Sequence, residues 1–95
     1  SNTLLLRSNS KQQLMSIYPN PIVNNQVNIK LFEEPNTWVD VTIYDLIGAK
    51  VYYNRFNNRS TLISFKAPPS FSRETHYIIE VRFGATVARE QIIFR

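Results

Sequence analysis

Apolar and polar side chains alternate with a period of two along most of this chain, and no stretch carries helical spacing. Val27, Ile29 and Leu31 alternate with Asn28, Lys30 and Phe32, the pattern of a strand buried on one face. Val39, Val41 and Ile43 repeat it against Asp40, Thr42 and Tyr44, and Val51 and Tyr53 are expected to continue the inward set on a return strand. Leu62 to Phe65 reads as a further strand. Tyr77, Ile79, Val81 and Phe83 then alternate with Ile78, Glu80 and Arg82, and a last strand is expected from Thr86 to Phe94. Met15 to Tyr18 adds a short extended run before all of these.

Turn chemistry separates the runs. Asn24-Asn25, Glu33-Glu34-Pro35-Asn36, Asn57-Asn58 and Pro68-Pro69 break successive strands, because Asn tolerates the left-handed region and Pro removes a backbone donor. Asp45-Leu46-Ile47-Gly48 suits a type I turn with Gly48 as the left-handed residue of a bulged hairpin. Tyr18-Pro19-Asn20-Pro21 fixes two φ angles, removes two N–H donors and biases Tyr18 and Asn20 towards extended geometry. Such a segment cannot lie inside a sheet, so it reads as a rigid elbow along an edge. Seven short strands with no helix predict an all-β fold, a small antiparallel sandwich of immunoglobulin-like type. Residues 1–13 read as a linker or the tail of an upstream domain, with Leu4-Leu5-Leu6 as either a short strand or an apolar contact to that domain. Residues 14–95 form the sandwich.

Composition narrows the classes. A 95-residue chain with 43% hydrophobic and 19% charged residues is of single-domain size and globular composition. It has no cysteine, which excludes disulfides and thiolate metal sites. No apolar run approaches the ~20 residues of a membrane-spanning helix. No signal peptide is visible and the chain does not begin with Met, so a longer precursor with an upstream export signal is expected. The net charge of +4 comes mainly from arginines scattered singly, with Glu80 and Glu90 among them. A nucleic-acid face would cluster them with stacking aromatics; a solvated mixed surface fits better, leaving at most a weak attraction to anionic lipopolysaccharide.

No reaction is indicated. The single histidine, His76, precedes the Tyr77 strand with no G-x-S-x-G elbow elsewhere, and reads as a strand-end side chain. Glu33, Glu34, Asp40 and Asp45 are the carboxylates from which a glycosidase pair would be drawn, and Glu33-Glu34 is more simply a solvated turn. Metal-ligand spacing, a calcium loop and a glycine-rich phosphate loop are all missing, so no cofactor is expected. Asn58-Arg59-Ser60 fits the N-glycosylation pattern and equally an ordinary turn. Trp38, Tyr44, Tyr52 and Phe32 are expected on outward faces. There they form either a sugar-stacking row or lids and sheet-surface contacts.

The order of motifs resembles the C-terminal sorting domain (type A) of the type IX, or Por, secretion system of Bacteroidetes-type bacteria. The likeness runs from about Leu14 to Arg95. The family's apolar residue followed by Tyr-Pro-Asn-Pro is matched by Ile17 to Pro21, and its Val-x-Ile-Tyr-Asp-x-x-Gly-x-x-Val hairpin by Val41, Ile43, Tyr44, Asp45, Gly48 and Val51, with basic Lys50. Its tyrosine strand is similar to Tyr77 to Val81. Its closing apolar and basic strand is similar to Glu90 to Arg95, with Ile92, Ile93, Phe94 and Arg95 last. One departure lies in Phe71 to His76, where Thr75 stands in place of the family's usual glycine. A β-branched residue tolerates positive φ poorly, so this loop is expected to take another shape.

The resemblance implies a non-catalytic secretion signal. The domain would fold in the periplasm in transit, be recognised by the outer-membrane translocon, and carry an upstream cargo domain to the cell surface or medium. In many family members a processing peptidase then removes the domain; Ser8 to Gln13 is the expected accessible segment. The elbow, the Asp45-to-Gly48 tip and a free final strand are the expected recognition features. The alternative is a carbohydrate-binding or adhesive immunoglobulin-like module that uses Trp38 and Tyr52. A purely structural spacer is a third reading.

Overall fold

A computed structural model describes residues 14–57, 60–71 and 73–95. The linker segment 1–13, Asn58 and Arg59 of the glycosylation pattern, and Ser72 therefore lie outside the described residues. The strands are β1 (Met15–Tyr18), β2 (Gln26–Leu31), β3 (Val39–Tyr44), β4 (Lys50–Phe56), β5 (Leu62–Lys66), β6 (Thr75–Phe83) and β7 (Thr86–Phe94). They form two antiparallel sheets, one in the order β1-β2-β5 and the other β4-β3-β6-β7. This is the all-β, seven-stranded, immunoglobulin-like sandwich that the alternation predicts.

Val27, Ile29, Leu31 and Ile63 from one sheet meet Val39, Val41, Ile43, Ile79, Val81 and Ile92 from the other, each no more than 2% exposed. Full burial of each such side chain stabilises by about 1.5–3 kcal/mol. The inward set on β4 departs from the expected one. Val51 and Tyr53 point outward, and Tyr52 and Phe56 turn towards the core. The pairing explains the reversal: Tyr44 faces Lys50, yet Ile43 faces Tyr52, so Val51 is an extra residue in the ladder. A bulge of this kind shifts the phase by one and exchanges the two faces. Tyr52 stacks on Phe65 at 5.0 Å and 4°, and Phe56 lies 5.9 Å from the same ring. These rings close the side of the sandwich between edge strands β4 and β5, so Tyr52 is a lid and not part of an outward row.

On the opposite side, β1 and β7 are the edges. The elbow carries the chain from one to the other. Both of its X-Pro bonds, Tyr18-Pro19 and Asn20-Pro21, are cis. Ile22 then leaves β1's sheet and bridges in parallel to Phe94 of β7. Its N–H donates to Ile93 O and its carbonyl accepts from Arg95 N, both at 2.8 Å. Asn24 and Asn25, both with left-handed φ, turn the chain into β2.

The bulged register has a direct test. Tyr52→Ala is expected to lower the unfolding free energy by about 2 kcal/mol, and Tyr53→Ala by less than about 1 kcal/mol. Equal losses in urea titration, or the reverse order, would contradict the observed phase of β4.

Candidate functional site

The strand registers bring the sequence-predicted motifs to one end of the sandwich. β1 ends at Tyr18 beside Asn28, near the start of β2. β6 begins at Thr75 opposite Phe94. β3 ends at Tyr44 opposite Ile78, which places the β3–β4 hairpin tip at the same end of the larger sheet. The bridge from Ile22 to Phe94 joins the two sheets there. Leu14 lies at the far end, where its carbonyl accepts from Phe32 N. The described chain therefore begins, at Leu14, at the pole opposite the motifs.

Each motif residue has a distinct place at this pole. Tyr18 is 42% exposed; Pro19 and Asn20 are exposed, and Pro21 is half-buried. Asp45 organises the hairpin: its Oδ1 accepts from Ile47 N at 3.1 Å and Ala49 N at 2.8 Å. Its carbonyl accepts from Gly48 N at 3.0 Å, and Gly48 takes φ +94° as expected. That scaffold holds Leu46 and Ile47 out at the tip, 61% and 90% exposed. Tyr77 is no surface residue. It stacks on Phe71 at 4.8 Å and meets Phe94 edge-on at 5.5 Å, while Phe71 and Phe94 are 5.1 Å apart. Ile92 and Phe94 are core residues, Ile93 is half-buried and Arg95 is exposed.

The expectation of a free final strand is corrected. The outer edge of Ile93 to Arg95 is occupied by Ile22, and Arg73 Nη1 donates to Arg95 O at 2.8 Å. The departure in the preceding loop also takes a definite form. Glu74 carries the left-handed φ of +59°, so Thr75 is free to begin β6. Glu74 N then donates to Phe94 O at 2.6 Å. Beside this loop lies a shallow depression of about 480 Å³ bordered by Asn25, Lys66, Phe71 and Arg73. A second, of about 420 Å³, runs from the hairpin tip past Tyr44 and Ile78 to Arg89.

The outer face of the larger sheet holds a charge network that alternation did not reveal. Glu80 points away from the core yet is only 4% exposed. Its Oε1 accepts from the Tyr44 hydroxyl at 3.2 Å, and its Oε2 from Arg89 Nε at 3.1 Å and Arg82 Nη2 at 3.4 Å. Burial pushes this carboxyl upward, but Arg89, Tyr44 and Arg82 together outweigh it and hold it below the ordinary value. Asp40 is also lowered, chiefly by the Arg55 guanidinium at 2.7 Å, with a hydrogen bond from Tyr53. Arg55 also covers Trp38, 5.6 Å from the ring centroid. Trp38 and Phe32 face outward as expected. With Tyr52 inside, the row needed for sugar stacking is not assembled.

His76 is exposed and shares a 2.9 Å hydrogen bond with Gln91. Among the described residues, no group of three or more His, Cys, Asp and Glu is placed to hold a metal. None of the helices that could cross a membrane is present among them either. The family model for the secretion system C-terminal sorting domain matches residues 16–95. The chain belongs to that family. The sorting domain is thus a type IX secretion signal whose motifs gather at one pole. No curated protein and no solved structure gives a significant match.

Two predictions follow from the geometry of this pole and face. Gly48→Ala forces a Cβ into left-handed backbone and is expected to cost at least about 1 kcal/mol, read by urea unfolding; an unchanged midpoint would contradict the turn. Glu80 and Asp40 are depressed carboxyls, so their contribution is full above the ordinary carboxylate range. It is lost as pH falls through their folded values. Glu80→Gln should therefore flatten the acid limb of the stability profile below about pH 4.5. A limb as steep as wild type would show that Glu80 does not contribute.

Proposed function

We propose that this sorting domain folds in the periplasm and is read there, without catalysis, as the signal that sends an upstream cargo through the type IX translocon of the outer membrane. Residues 14–95 act as the signal and residues 1–13 as the linker to cargo. A processing peptidase cuts within Ser8 to Gln13, and the cargo ends at the cell surface or in the medium.

The observation that carries this reading is the shared pole. Family membership supplies the type IX role, and the elbow, hairpin tip and last strand meet at the end remote from the upstream chain. A translocon can then engage the signal while cargo trails from the other end. Tyr18, Leu46 and Ile47 offer exposed apolar surface there. They stand on a scaffold of Asp45, Gly48, Pro19, Asn20 and Pro21. Tyr77, Ile92, Ile93, Phe94 and Arg95 act from beneath, by holding the pole together.

A localisation assay tests the reading. Residues 1–95 are fused behind a periplasm-targeted fluorescent reporter and expressed in a host with intact type IX secretion and in a translocon-defective strain. Surface or medium fluorescence in the intact host alone is the expected result. A folded fusion that stays periplasmic in both strains would reject the assignment.

A further inference from the structure

Among the described residues, the larger sheet has an edge that is neither paired nor fully covered. In β7, Ile93 and Arg95 direct their backbone groups outward to Ile22. By the alternation of an antiparallel strand, Val87, Arg89 and Gln91 direct theirs the same way. The Ile22 bridge ends the covered part, and the Gly84–Ala85 turn ends the strand on the other side. Val87 is 40% exposed, and Arg89 and Gln91 are exposed. A row of free donors and acceptors on such an edge is a template for another strand.

Side-chain charge says what that strand must be. Glu90 pairs with Ile79, a fully buried residue, so its carboxylate points to the inner face of the sandwich. Among the described residues, no donor or cation is placed on it, and burial raises its pKa with no opposing influence. Arg89, by contrast, is already engaged with Glu80 on the outer face. A second copy of the chain fits poorly. The antiparallel register that overlaps Val87 to Gln91 most fully sets Arg89 against Arg89, and like charges directly opposed destabilise a strand pair.

We infer that the Val87–Gln91 edge of β7 receives an extended strand of the secretion machinery, which carries a lysine or arginine side chain onto Glu90. The added strand continues the larger sheet beyond β7 and stops at Ile22. Main-chain hydrogen bonds supply the contact, and the cation facing Glu90 sets its register. This inference rests on the sorting-signal reading and names the partner surface for it.

Val87→Pro with Gln91→Pro removes two outward N–H groups, and proline is tolerated at edge positions whose N–H faces solvent. The doubly substituted chain, Glu90→Lys and Glu90→Gln are each fused to the periplasmic reporter, with circular dichroism and thermal melting to establish folding. Export of the folded proline variant is expected to fall to the level of the translocon-defective host. Glu90→Lys is expected to fall likewise, with Glu90→Gln between it and wild type. If the proline variant does not fold, the Glu90 pair decides alone. Wild type exported with these variants exported equally would overturn this inference and leave the sorting reading intact. Wild type retained in both hosts would overturn both.

Discussion

Two main-chain hydrogen bonds made by Ile22 tie the molecule together. They join the segment that follows the elbow to the last strand, with Ile22 N on Ile93 O and Arg95 N on Ile22 O, both 2.8 Å. Each such bond contributes only about 0.5–1.5 kcal/mol. Burying the Ile22 side chain completely adds about 1.5–3 kcal/mol. The greater consequence is topological. Without this bridge, β1 belongs to one sheet and β7 to the other, and the side of the sandwich between them is open. With it, the first and last parts of the domain hold each other, and the Phe71–Tyr77–Phe94 rings have a closed space to fill.

The sorting-motif residues divide into exposed ones and ones that pack inside. Asp45 and Gly48 shape a loop whose exposed products are Leu46 and Ile47. Tyr77, Ile92 and Phe94 are buried, and the Phe71–Tyr77–Phe94 ring contacts pack the inside of the pole. Glu80 plays a comparable part on the outer face. A carboxylate that far from solvent is costly alone, and it is tolerated because Tyr44, Arg82 and Arg89 converge on it. Tyr44 thereby connects the hairpin tip to the centre of the larger sheet.

Much of this was legible in the chain because it is local. Alternation located the strands, and Asn24-Asn25 and Asp45-to-Gly48 located turns that carry the positive φ expected of them. What escaped depends on residues distant in sequence. The Val51 bulge reversed Tyr52 and Tyr53, since one extra residue changes a strand's phase without changing its alternating pattern. Glu80 reads as solvated from its own strand, and its burial comes from neighbours on β3 and β7. The parallel bridge from Ile22 to Phe94 has no local signature. In the Phe71 to His76 loop, Glu74 supplies the left-handed residue, and Thr75 begins β6.

If the machinery reads the folded pole, as proposed, the exposed side chains there are required for export. The most direct measurement compares two folded variants of the reporter fusion in the secretion-competent host. One replaces exposed Tyr18, Leu46 and Ile47 at the motif pole with serine; the other replaces exposed Phe32, Trp38 and Leu62, away from the elbow and hairpin tip, with serine. The first is expected to stay in the periplasm and the second to be exported. Export of the first, or retention of the second alone, would contradict this reading.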